Sequence, residues 1–270
     1  MFLKKIPLLI ILYSLALLFV SSDLLGQILN IERYRLERQQ EKSFIMNTTL
    51  GLSVNNRSAA EDSPVNLFGY NGRINTLYFS DQHTYTGIAQ IDYLKINDNP
   101  FLNFGFLHFR AHFFSDNNSS VEIFSQVSYD NFRGLDPRIL GGVGFRQKVI
   151  DSNRSLVYFG TGFLYEWETW KHPEDKHLIQ SNLIKSTNYI SYRLSVNEFL
   201  DFNTIVYYQV GYDKTIDNIR NRLSGNFNLN SKISERFSIT NSFDFSYENR
   251  PIVPITRFIF NFRTGLSFAF

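Results

Sequence analysis

Arg257-Phe258-Ile259-Phe260-Asn261-Phe262-Arg263-Thr264-Gly265-Leu266-Ser267-Phe268-Ala269-Phe270, the last fourteen residues of the chain, decide the fold. Phe258, Phe260, Phe262, Leu266, Phe268 and Phe270 share one parity, and Arg257, Asn261, Arg263, Gly265, Ser267 and Ala269 the other. Side chains in a strand point to opposite faces in turn, so this is a strand with one oily and one polar side. The segment before it repeats the pattern. Phe237, Ile239, Phe243, Phe245 and Tyr247 alternate with Ser238, Thr240, Ser242, Asp244, Ser246 and Glu248. Further back, Leu223, Phe227 and Leu229 alternate with Arg222, Ser224, Asn226, Asn228 and Asn230.

Working outward, twelve such segments are expected, near 43–56, 64–79, 83–96, 101–114, 119–131, 138–150, 155–169, 187–198, 201–213, 219–231, 235–248 and 254–270. Their length separates a soluble sandwich from a membrane barrel. Ordinary strands run to about 5–6 residues, whereas a tilted strand needs about 9–11 to cross a bilayer core. Every second connection is tight: Ser80–Gln82, Ser115–Asn118, Asp151–Arg154, Phe199–Leu200 and Lys232–Ser234. The others include longer excursions at Arg57–Ser63, Asn131–Pro137, Lys171–Ser186 and Asn249–Pro251, with Asn97–Pro100 short. Tight turns on one side, longer loops on the other and an even strand count are the layout of an outer-membrane barrel. With a periplasmic start, the tight turns face the periplasm, and the loops, led by Lys171–Ser186, face outward. An open edge in lipid would leave backbone groups unpaired, so the first strand is expected to pair with the twelfth.

Composition agrees. Of 270 residues, 16% are aromatic, yet mean hydropathy is −0.19, which excludes a bundle of membrane helices. A net charge of +2 without a basic stripe excludes a dedicated nucleic-acid binder, and no nucleic-acid partner is expected. Zero cysteines remove disulfides, thiolate metal sites and cysteine nucleophiles. Lys4 and Lys5, the apolar run Ile6–Val20 and the small or polar Ser21, Ser22 and Gly26 read as a cleavable secretory signal. An uncleaved anchor is the competing reading, although the apolar run is short for a span of about 20 residues. The organisation is therefore a signal at 1–26, an arm or plug at the periplasmic mouth over 27–42, and a barrel over 43–270.

With the oily face toward lipid, the polar face lines a lumen. His108, Arg110 and His112 face inward from the fourth segment, and Glu122, Gln126 and Asp130 from the fifth. Arg138, Arg146 and Lys148 do so from the sixth, and Glu166 and Glu168 from the seventh. Neighbouring segments thus alternate in sign, and opposite charges facing across a sheet attract. Folding about Asn131–Pro137 sets Asp130 opposite Arg138 and Glu122 opposite Arg146. Two clusters follow: an outer one of Asp130, Arg138, Glu166 and Glu168, and an inner one of Arg110, Glu122 and Arg146 with His112 near. The structural reading is neutralisation of a wide polar interior; the functional one is a selectivity or solute site.

Catalytic constellations are weak. No G-x-S-x-G, H-E-x-x-H or P-loop occurs, and no catalytic residue or cofactor is expected. His108 and His112 point away from lipid, where a lipid-modifying centre would lie; such an enzyme remains the rival reading, and a soluble exported sandwich a more distant one. Glu166 and Glu168 share a face, but an arginine partner would hold both ionised, against the raised pKa that a general acid needs. His172, Glu174, Asp175 and His177 could hold a divalent metal, but a polar surface loop explains them equally, and no metal site is assigned. Gly141, Gly142 and Gly144 lie within a strand and suit close packing of a barrel wall. Trp167, Trp170 and Tyr165 suit an interfacial aromatic girdle.

The run His108-Phe-Arg110, then Glu122-Ile-Phe-Ser-Gln126-Val-Ser-Tyr-Asp130-Asn-Phe132-Arg133, then Arg138-Ile-Leu-Gly141-Gly-Val-Gly144-Phe-Arg146, then Gly160-Thr-Gly162-Phe-Leu-Tyr165-Glu166 resembles the domain-of-unknown-function 481 family of outer-membrane proteins. Some members are described as salt-induced outer-membrane proteins. The early Asn30-Ile31-Glu32 is also similar to that family's opening. The resemblance implies an outer-membrane barrel of unassigned activity and supplies no catalytic residues. The expected protein is a monomeric twelve-stranded antiparallel transmembrane β-barrel in a Gram-negative outer membrane, either a narrow channel or a structural barrel. Its partners are outer-membrane lipid and the barrel-insertion machinery, engaged through the strand ending at Phe270.

Overall fold

The structure, a computed structural model, describes residues 43–56, 65–234 and 236–268. The signal, the arm and Phe270 lie outside the described residues. Twelve strands follow one another: β1 (Phe44–Asn56), β2 (Asn66–Phe79), β3 (His83–Ile96), β4 (Asn99–Phe113), β5 (Ser119–Asp130), β6 (Leu135–Asp151), β7 (Ser155–Lys171), β8 (Leu178–Asn197), β9 (Leu200–Asp213), β10 (Asn218–Lys232), β11 (Phe237–Glu248) and β12 (Phe258–Phe268). Each pairs antiparallel with the next in a single sheet. The shortest strand, β12, has 11 residues and the longest, β8, has 20.

The polarity of the sheet is inverted relative to a soluble protein. Arg220, Lys185, His112, Glu122, Glu166 and Glu168 are among the largest fully buried side chains, whereas Leu50, Phe163, Ile184, Phe260 and Phe262 are exposed. Phe260 and Phe262 are 61% and 60% exposed, while Arg263 turns inward to Asp244 at 3.4 Å. Outside, Phe202, Phe227, Phe243, Phe245 and Phe260 form a continuous aromatic band across β9–β12 with centroid spacings of 5.8–6.3 Å. An apolar exterior around a charged interior is stable only where the outer solvent is lipid.

The sheet curls on itself. The Tyr189 hydroxyl on β8 donates to Glu122 on β5 at 2.6 Å, Arg220 on β10 meets Glu168 on β7 at 3.0 Å, and Arg110 on β4 reaches the Tyr207 hydroxyl on β9 at 3.4 Å. One cavity of about 150 Å³ is lined by residues drawn from every strand from β4 to β12. In the ladders of the described residues β1 and β12 are the two edges, so the expected β1–β12 pairing is not among them.

Three strand starts differ from the sequence reading by more than two residues: those of β6, at Leu135, of β8 and of β12. β8 begins at Leu178, so the connection to β7 is 172–177 and not a loop over Lys171–Ser186. The added part of β8 hides Leu183 and Lys185 inside and shows Gln180 and Asn182 outside, which scrambles the oily-out, polar-in alternation. At the other end, β12 starts at Phe258. The preceding loop folds back over the barrel mouth, where buried Val253 packs with Leu135 and Trp170, flanked by Ile179, Ile252 and Ile255. Asn249 clips this loop to β10, its side-chain Oδ1 accepting from Asn221 N–H at 2.8 Å. Trp170 accordingly does not join an aromatic girdle. It shares the parity of Glu166 and Glu168, is 2% exposed, and its indole N–H donates to Glu168 Oε2 at 3.1 Å.

Candidate functional site: the lumenal charge network

Strand parity places every expected lumenal charge on the inner face, and hairpin geometry decides which of them meet. The β5–β6 turn is tighter than expected. Asp130 accepts from the backbone N–H of Arg133 at 3.2 Å, and Gly134 takes the left-handed conformation (φ 82°) against the Lys171 carbonyl. With β6 entered at Leu135, the register moves by two residues: Ser128, and not Asp130, faces Arg138, and Gly144, and not Arg146, faces Glu122. Asp130 therefore stays with its own turn and leaves the expected outer cluster. A shift of two preserves parity, so the faces stand although the partners change.

Toward the tight-turn end, Glu122 is the hub. It receives the Tyr189 hydroxyl at 2.6 Å, Arg110 Nη1 at 3.4 Å and lies 3.0 Å from His112 Nε2. Arg146 joins indirectly: its Nη1 is 3.3 Å from His112 Nδ1, and its guanidinium lies over the Tyr158 ring at 3.5 Å. The wall glycines make room for this. A Cβ on Gly160 would stand 2.1 Å from Tyr189 Cε1, so the ring lies flat over β7 only because the position is bare.

Toward the loop end the network is larger than the sequence indicates. Glu166 is ion-paired with Arg138, Lys185 and Arg222, the last at 3.1 Å. Glu168 meets Arg220 at 3.0 Å, Arg222 at 3.2 Å and Arg138 at 3.4 Å. Arg220 also meets Asp213 at 2.9 Å, and both Arg220 and Arg222 pair with Glu248. Four cations thus face four carboxylates across six consecutive strands, β6 to β11. Lys185, Asp213, Arg220, Arg222 and Glu248 were not assigned to a cluster from sequence. Parity puts Arg220 and Arg222 on the polar face, but only the curl of the sheet carries β10 across to β7. Lys185 lay in the segment expected to be a loop.

Between the clusters sits the cavity, touched by Arg110 and Glu122 below and by Arg138, Arg222 and Glu248 above. Its wall also carries Phe104, Phe124 and Leu140. Five arginines and three carboxylates line it, and two of the arginines, Arg138 and Arg222, are paired with Glu166 and Glu168. Glu166 and Glu168 are each held by several cations, an arrangement suited to fixing walls together and not to proton transfer.

A single curled sheet of long antiparallel strands, apolar outside and ion-paired within, defines a transmembrane β-barrel protein. The chain belongs to the family of proteins of unknown function DUF481, whose model matches residues 66–270. Among solved structures it is similar to the NanC porin at 13% identity and a TM-score of 0.44, over 82% of this chain and 100% of that one. No curated protein matches.

Proposed function

We propose that this protein is an outer-membrane barrel of a Gram-negative bacterium whose lumen is a narrow, charge-lined passage for small polar solutes, closed at its loop end at rest. The observation that carries this reading is the network joining β6 to β11 through Glu166, Glu168, Arg220 and Arg222. Such pairs span the interior instead of lining its rim, and a cavity of about 150 Å³ lies between them and the Glu122 cluster. The Val253 loop, seated on Trp170, covers the same end. A passage of this kind conducts in small, infrequent steps, since each ion must replace part of its hydration with fixed charges. Both catalytically versatile histidines of β4 support the same reading, since His108 and His112 are buried inside and not at the lipid surface. Planar-bilayer recording of the purified protein tests it. Discrete steps far below those of a wide porin are expected, with larger steps after Arg222→Ala. Silence in both proteins, with lipid turnover in the same bilayers, would replace the channel with an enzyme.

A further inference from the structure

The β7–β8 connection, His172-Pro173-Glu174-Asp175-Lys176-His177, has no part in the lumenal network, yet it is closed by its own hydrogen bonds. His172 and His177 stand at the two feet of the loop, closed by His172 N–H donating to the His177 carbonyl at 2.9 Å and Lys176 N–H to the His172 carbonyl at 3.2 Å. That closure stacks the two imidazoles at 5.0 Å and 18°. Lys176, in the left-handed conformation (φ 62°), turns the chain so that Asp175 folds back between them. Asp175 Oδ1 then lies 3.0 Å from His172 Nδ1 and 2.5 Å from His177 Nδ1. All three donor atoms fall within 4.8 Å of one another. Glu174, of the four residues singled out in the sequence, is not in this group.

Hydrogen bonding accounts for only part of the arrangement. His177 Nδ1 is matched by the carboxylate, but His172 Nδ1 is buried and makes no aligned hydrogen bond, although it lies 3.0 Å from the same oxygen. Two imidazole nitrogens and one carboxylate oxygen within 4.8 Å of one another, one of the nitrogens unsatisfied, are what a small cation would complete.

We propose that this loop binds one divalent transition-metal ion of the zinc class through His172 Nδ1, His177 Nδ1 and Asp175 Oδ1. Imidazole and carboxylate donors suit zinc and its neighbours, whereas calcium and magnesium call for six or more oxygens or a near-ideal octahedron. Tetrahedral bonds of about 2.0–2.1 Å separate donors by roughly 3.3 Å. The His177–Asp175 pair therefore opens by less than about 1 Å to admit the ion. The backbone closure holds the donors in place beforehand, and three protein ligands leave a coordination position for water or an external donor at the barrel mouth.

Isothermal titration of the detergent-folded full chain with zinc chloride tests the site. One ion per chain is expected, with no heat from calcium or magnesium chloride. The double variant His172→Ala/His177→Ala should lose the saturable heat. Asp175→Asn should weaken binding by roughly tenfold or more, since even losing a partner of a ligand costs 10–100-fold. Circular dichroism of each variant checks that the β-sheet signal is unchanged, which these loop positions permit. No zinc binding by the native chain would overturn the proposal, as would equal binding by the double variant. Should the double variant not fold, undiminished binding by Asp175→Asn would overturn it too.

Discussion

Glu166 is fully buried and receives three cations, whereas Arg138 keeps part of its side chain in the lumen at 16% exposure. That difference sets the order of effects expected from mutation. Glu166→Gln leaves Arg138, Lys185 and Arg222 short of a countercharge, and unpaired buried charges of this kind cost about 3–5 kcal/mol. Arg138→Ala leaves Glu166 with two cations and Glu168 with two, so a smaller loss, roughly 1–2 kcal/mol, is expected. Urea unfolding in detergent, followed by fluorescence of Trp170 beside Glu168, measures both; a larger loss for Arg138→Ala would refute the hub role of Glu166. Gly160 supplies a second test of the interior. Gly160→Ala drives a methyl into the Tyr189 ring and strains the hydroxyl's bond to Glu122, an overpacking expected to cost about 1–3 kcal/mol. Tyr189→Ala removes the ring and with it that overlap, while losing the hydrogen bond. Additive losses in the double variant would show that the two positions do not compete for space.

At the scale of elements, the alternation of two carries most of the information the sequence holds. It places β2, β3, β5, β9 and β11 within two residues of their observed ends. It fails at β8, where Leu183 turns inward and Asn182 outward, and at the β5–β6 turn, where Asp130 spends its carboxylate on the turn's own backbone. Parity fixes the face of a residue but not its partner across the lumen, so Arg222 was legible as lumenal while its bond to Glu166, 56 residues away, was not. Trp170 shows the converse: its parity already matched Glu168, and its aromatic character suggested the membrane boundary instead. The β11–β12 loop is the element whose role follows from structure alone. Val253 is 1% exposed and seated on Trp170 and Leu135, so Val253→Asp should detach the loop from the mouth. Larger or more frequent conductance steps are expected in planar bilayers, with unfolding resistance reduced by about 2–4 kcal/mol. Unchanged conductance would show that the ion network alone closes the passage.

For the whole molecule, the two charge clusters act on anything in the cavity together. The loop-end network is balanced, four cations against four carboxylates, and so contributes little net field. The imbalance comes from elsewhere. Arg146, on His112, adds a second cation beside the Arg110–Glu122 pair below, and Arg133, next to Asp130, and Arg257 enter the lining near the mouth. A cationic surplus inside low-dielectric walls raises the local concentration of anions and repels cations, and the effect weakens as salt shortens the Debye length from about 10 Å at 0.1 M to about 3 Å at 1 M. In a bilayer separating unequal potassium chloride solutions, the reversal potential is therefore expected to move toward that of chloride. The shift should be greater near 0.1 M than near 1 M. Reversing the two mouth charges, Arg133→Glu with Arg257→Glu, should swing the preference toward potassium. A native protein that conducts without preference at low salt, or one indifferent to the double reversal, would mean that permeating ions do not pass through this lumen.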